Sequence, residues 1–140
     1  MLINFQGRVT SFYGSELQRC TSYRGHVSTA PRGAPGNAPV KQLLFCEKGV
    51  ISLSNKSIHL SSRRGLTQWH ISQTDMVDLR CMSFINSSAI EIVVAGCQRQ
   101  MYRVDVEKGI VTETITQDPP IAYTLMRRAN QYICVASHDG

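Results

Sequence analysis

The chain has 140 residues, of which 42% are hydrophobic and 18% charged, with a formal net charge of +5. Those values suit a folded domain with a packed core and exclude a disordered chain. The cationic excess is small and scattered, with Arg63-Arg64 and Arg127-Arg128 as the adjacent basic pairs, so it permits an anionic partner without requiring one.

Residues 1–9 read as a turn feeding a strand. Arg8–Tyr13 is rich in β-branched and aromatic residues and pairs in a hairpin with a return strand over 17–23, across Gly14-Ser15. Gly25-His26 follows. Residues 28–39 hold three prolines and two glycines, which excludes a regular element and marks an inserted loop. Strands resume over 40–46, 50–54 and 57–61, with Asn55-Lys56 as the turn between the last two. Arg63-Arg64-Gly65 is the next turn, and 66–71 is an outer strand. A polar connector spans 72–78, and residues 74–83 also carry the pattern of a helical turn or two. A strand over 79–85 reaches the turn Asn86-Ser87-Ser88, and another covers 91–95. In 100–106, Tyr102, Val104 and Val106 alternate with Met101, Arg103 and Asp105, as a half-buried strand requires. Glu107-Lys108-Gly109 turns into an outer strand over 110–116. Residues 117–120 connect to strands over 123–127 and 131–136, and the chain ends on the turn sequence Ser137-His138-Asp139-Gly140.

These strands repeat. Ile92-Val93-Val94-Ala95-Gly96 returns as Ile133-Cys134-Val135-Ala136-Ser137, and Val50-Ile51-Ser52-Leu53-Ser54 precedes it at the same interval of about 42 residues. Four short strands per period of that length mark a WD-type β-propeller blade. The predicted fold is all-β, a partial propeller of about three four-stranded blades, incomplete at both ends. The blade pieces run over about 1–27, 40–78, 79–120 and 121–140, with 28–39 inserted. A blade alone leaves both sheet faces uncovered, so an open array is expected to expose apolar faces that favour association.

Val104-Asp105-Val106-Glu107-Lys108-Gly109 has the form of a blade's third strand entering its turn, with V-D where W-D is usual. Asp105 is expected to accept backbone hydrogen bonds there, and Gly109 to supply a positive φ. Asp139 and Gly140 are read as a second turn of this kind. No catalytic or metal-binding set is expected. Asp105-Val106-Glu107 is a D-x-E, the pattern by which carboxylates on one strand face hold a divalent cation, but the turn that follows at once favours the structural reading. His26, His59, His70 and His138 stand apart, without ligand spacing, and nucleotide-binding and hydrolase motifs are missing. Cys46, Cys81, Cys97 and Cys134 lie in apolar strand runs and, like Cys20, outside any C-x-x-C; they read as buried thiols of a reducing compartment. No leader and no membrane-spanning stretch is apparent, which predicts a cytosolic or nuclear location without membrane contact.

Segments 7–19, 62–66, 93–98, 104–106 and 124–128, in this order, resemble the N-terminal propeller of the catalytic subunit of the poly(A)-nuclease deadenylation complex, in a fungal form. The resemblance covers nearly all of the chain except 28–39. It implies a non-catalytic scaffolding segment of a poly(A)-specific 3′ exoribonuclease subunit that shortens mRNA tails in the cytoplasm. It also implies a regulatory pseudokinase-like subunit as partner, and the poly(A) ribonucleoprotein with poly(A)-binding protein. The divalent metal is implied only for a nuclease domain elsewhere in such a subunit, so this chain is expected to need no cofactor and to take no small-molecule substrate. Arg63, Arg64, Arg127 and Arg128 fall inside the matching segments and are the candidate partner contacts. The alternative reading is a generic WD-repeat interaction adaptor. A further alternative, a self-sufficient nuclease built on Asp105 and Glu107, predicts metal-dependent cleavage of oligo(A).

Overall fold

The computed structural model describes residues 2–3, 8–13, 18–24 and 39–138. Every regular element among them is a β-strand. Strands β1 (Leu2–Ile3), β2 (Arg8–Tyr13) and β3 (Gln18–Arg24) form one sheet in that order. Strands β4 (Gln42–Cys46), β5 (Gly49–Leu53), β6 (Ile58–Ser61) and β7 (Thr67–Ile71) form a second. A third contains β8 (Leu79–Phe84), β9 (Glu91–Gly96), β10 (Gln100–Asp105) and β11 (Ile110–Thr116). Strands β12 (Tyr123–Ala129) and β13 (Tyr132–Ser137) pair as a fourth. All pairings are antiparallel between consecutive strands, so each sheet has the strand order of a meander.

The repeat extends to the register. The pairing shifts between the last two strands of both four-stranded sheets, at Leu60/Ser61 and at Arg103/Val104. The three-stranded sheet shifts in the same place, at Ser11/Phe12. The opening pairs β8–β9 and β12–β13 share a second irregularity, at Leu79/Cys81 and Tyr123/Leu125. A bulge adds a residue and increases local twist, and its recurrence at matched positions is what a repeated blade requires. Among the described residues the sheets do not close into a ring.

The core lies between the two four-stranded sheets. Ile51, Leu53, Ile58 and Leu60 from one meet Met82, Ile92, Val94, Tyr102 and Val104 from the other, all buried, with Met76 and Leu79 filling the join. The strands that face both ways read as continuous apolar runs: β5 buries all five residues, whereas β11 leaves six of its seven exposed. Polar groups tie the same join. Gln42 donates from Nε2 to Met82 O at 2.7 Å and accepts from Met82 N at 2.8 Å, so one amide satisfies the edge of β8. Tyr102 is fully buried, and its hydroxyl donates to Asp75 O at 3.1 Å, which pins the connector over the core. Burial pushes the Tyr102 phenol up to about 12.

A smaller cluster of Cys81, Val93, Ala95 and Met126 joins the third sheet to β12. Two strands do not cover a four-stranded face. A cleft of about 310 Å³ therefore opens beside Met101, Ile115, Ile133 and Val135.

Two expectations are corrected here. Residues 74–83 form no helix: Met76 N donates to Gln73 O in a single turn, and Leu79 already enters β8, because its side chain is needed in the core. The cysteines are not uniformly buried. Cys81 is, and burial pushes its thiol up to about 11, but Cys46 and Cys97 are half-buried and Cys134 is exposed. Cys134 lies on β13, the outer strand of the pair that has no further strand beside it among the described residues. The loop expected over 28–39 lies, apart from Pro39, outside the described residues, as does Gly25-His26.

Candidate functional site

The turn after β10 locks the two large sheets together. Asp105 Oδ1 accepts from Glu107 N at 2.8 Å and from Lys108 N at 2.9 Å. Gly109 N donates to Asp105 O at 2.9 Å, and Gly109 adopts a φ of 67°, where a side chain is strained. The turn lies against Trp69 of β7: its indole Nε1 donates to Val106 O at 2.9 Å, and the ring occupies the space a Gly109 side chain would need. Lys48 adds an ion pair to Glu107 at 3.4 Å across the same rim. The two carboxylates of the D-x-E thus serve separate contacts, one inside its own turn and one to a cation of the neighbouring sheet. Among the described residues, no group of three or more His, Cys, Asp or Glu is placed to hold a metal ion.

The candidate arginines occupy two different elements. Arg63 and Arg64 stand at the tip of the β6–β7 turn, exposed, above Ser62, which accepts through its carbonyl from Gly65 N and through its hydroxyl from Leu66 N. Arg127 and Arg128 lie on β12, also exposed, opposite Cys134 and Ile133. Asp139 and Gly140 lie outside the described residues.

Arg127 and Arg128 border a cleft of about 300 Å³ that no single sheet contains. The edge strands β4, β8 and β12 of three successive sheets converge there. Phe45 comes from the first, Phe84 from the second and the arginine pair from the third, with Asn86 and Ser87 from the turn after β8. Phe45 is 58% exposed, an unusual position for a phenylalanine ring.

Other polar groups stay structural. Arg103 holds Glu91 through two hydrogen bonds of 3.1 and 2.8 Å and lies 3.5 Å from Glu113, a cross-strand ladder that raises the guanidinium pKa, chiefly through Glu91. Burial opposes ionisation of Asp78, but the hydrogen bond and charge of Arg80, with Lys41 at 3.5 Å, hold its carboxyl below the usual range.

The histidines are not all isolated, which corrects the sequence reading. His59 and His70 are direct partners across β6 and β7, with ring centroids 5.4 Å apart. Burial, aided by the charge of His70, lowers the His59 pKa to about 4. Their spacing in sequence carries no ligand signal, and the bulge at Leu60/Ser61 in the β6–β7 pairing is what sets His59 opposite His70.

Bulged four-stranded meanders stacked face to face, locked by an Asp–Gly turn under a tryptophan, define a segment of a WD-repeat propeller. No protein-family model matches the chain. It is 54% identical over 137 residues to the PAN2-PAN3 deadenylation complex catalytic subunit PAN2 of Phaeosphaeria nodorum, covering 98% of this chain and 11% of that protein. It is 50% identical over 134 residues to the Neosartorya fischeri protein of the same description, covering 96% and 11%. The solved structure of the Neurospora crassa Pan2 WD40 domain superposes with a TM-score of 0.81 at 36% identity, covering 95% of this chain and 38% of that one. The chain matches the propeller region of fungal PAN2 in sequence and in fold, and it spans 11% of the length of those curated relatives.

Proposed function

We propose that this chain is a scaffolding propeller segment of a deadenylation complex, which takes no part in the chemistry and positions a 3′ exoribonuclease against its partners and the poly(A) ribonucleoprotein. The match along 98% of the chain to a catalytic subunit named for that complex carries the reading, because the matched region is a WD40 domain. The blade pieces run over about 1–27, 40–78, 79–120 and 121–140. The partner is the PAN3-type subunit, pseudokinase-like, and the setting is cytoplasmic mRNA decay. Arg63, Arg64, Arg127 and Arg128 are the cations offered to partner surfaces. All four are exposed, so their guanidinium groups reach a partner without first giving up a buried contact.

Deleting this segment from the complete subunit is expected to lower recovery of the PAN3-type subunit and of protein-coated poly(A) in co-purification. The maximal rate on a saturating short oligo(A) should stay unchanged. An equal fall in that rate would place the segment in the chemistry and overturn the reading. Reversing the charge at all four arginines should weaken capture, and unchanged capture would remove them from the interface.

A further inference from the structure

The three-strand cleft carries chemistry that the scaffold reading leaves unused. Arg127 and Arg128, adjacent on β12, both line it, and among the described residues its lining includes no carboxylate. Neither arginine has an acidic partner among the described residues, whereas Arg80, Arg99 and Arg103 each do. Opposite them stands Phe45, its ring more than half exposed at the end of β4, with Phe84 half-buried behind. Met82 and Met126, both fully buried, make the floor. Asn86 and Ser87 bring neutral polar groups to the mouth, and the Asn86 amide is fixed because its Oδ1 accepts from Ser88 Oγ at 2.7 Å.

An exposed aromatic face beside paired cations, without acids, is the combination that single-stranded nucleic acids use. The bases stack on the ring whatever their identity, and the backbone phosphates lie along the arginines. An acidic peptide would use the arginines but draw nothing from an isolated phenylalanine face. A duplex presents its bases stacked on each other and leaves Phe45 without a partner. The cleft is also formed by residues from three sheets, so it exists only where successive blades are packed.

We propose that the cleft between Phe45 and Arg127-Arg128 binds single-stranded RNA, with a base stacked on Phe45 and the adjoining phosphates on the two arginines. The proposal deepens the scaffold reading by naming the ligand of one of its arginine pairs, and it rests on the geometry of this cleft.

The test is fluorescence anisotropy of a labelled, mixed-sequence single-stranded RNA titrated with the purified full chain. The comparison variants are F45A, the pair R127E/R128E, and the control pair R63E/R64E. All five positions are exposed, and circular dichroism confirms folding. F45A is expected to weaken binding by about fivefold to a hundredfold, the range for loss of one stacked base. R127E/R128E should weaken it and lower the slope of log affinity against log salt by about 1.4, two phosphate contacts on a single strand. R63E/R64E should leave that slope nearly unchanged. Three results would each overturn the proposal: F45A binding as the parent does, both arginine pairs losing affinity equally, or polyglutamate binding in place of RNA. The titration contains no partner subunit, so its failure is distinct from a failure to capture the PAN3-type subunit.

Discussion

Replacing Gly109 by alanine tests the lock between the two large sheets. The position has a φ of 67°, and the new methyl group points into the Trp69 ring. A left-handed backbone costs a residue with a side chain about 1–2 kcal/mol. Crowding a packed contact costs about 1–3 kcal/mol more. The ring does not move aside freely, because its Nε1 is held by Val106 O at 2.9 Å. The sum, about 2–5 kcal/mol, is a large part of the roughly 5–15 kcal/mol of a whole domain. Trp69 is the single tryptophan of the chain, so its fluorescence reports on this join during urea unfolding. With a slope of about 2 kcal/mol per molar, the midpoint should fall by about 1–2.5 M. Gly65→Ala is the control: it shares the positive φ, at 85°, on the exposed β6–β7 turn and should lose the backbone contribution alone. If Gly109→Ala loses no more than Gly65→Ala, the tryptophan contact carries nothing and the reasoning fails.

Acid should weaken the fold through His59. Its pKa is about 4 when folded and 6.5 ordinarily, so between those values the unfolded chain takes up a proton that the folded chain refuses. Stability should therefore fall as the pH drops from about 6.5 to about 4, by up to about 3 kcal/mol, and His59→Gln should flatten that slope in denaturation curves. Parallel losses in parent and variant would assign the slope to other groups. Gln42→Ala removes both hydrogen bonds to the buried Met82 backbone, for about 1–3 kcal/mol. A thermal melt should show Tm lower by about 3–10 °C. An unchanged Tm would mean that water satisfies that strand edge.

Strand positions and turns were legible because they are set locally. Alternation at Tyr102, Val104 and Val106 fixes which face of β10 is buried, and glycine at 109 and polar pairs at the other turns fix where the chain reverses. The repeat of about 42 residues was enough to name the architecture, because a blade that buries both faces of its sheet must be copied. What the sequence misjudged depends on neighbours. A thiol such as Cys134 looks buried in an apolar run, yet it projects from the face of β13 opposite Ile133, and its exposure is decided by whether another sheet covers that face. The apparent helical turn over 74–83 lost to the core's demand for Leu79 in β8.

By itself, the sequence determined an all-β repeat, the strand order and the Asp–Gly turn that ends β10, since each is written in spacings of a few residues. Only the tertiary structure decided that His59 meets His70, that Trp69 roofs the Gly109 turn, and that Phe45, Phe84 and Arg127 share one cleft. The histidines meet through the bulged register of β6 and β7, and the others stand about a blade or more apart in the chain and are brought within reach by packing between sheets, which no local spacing encodes.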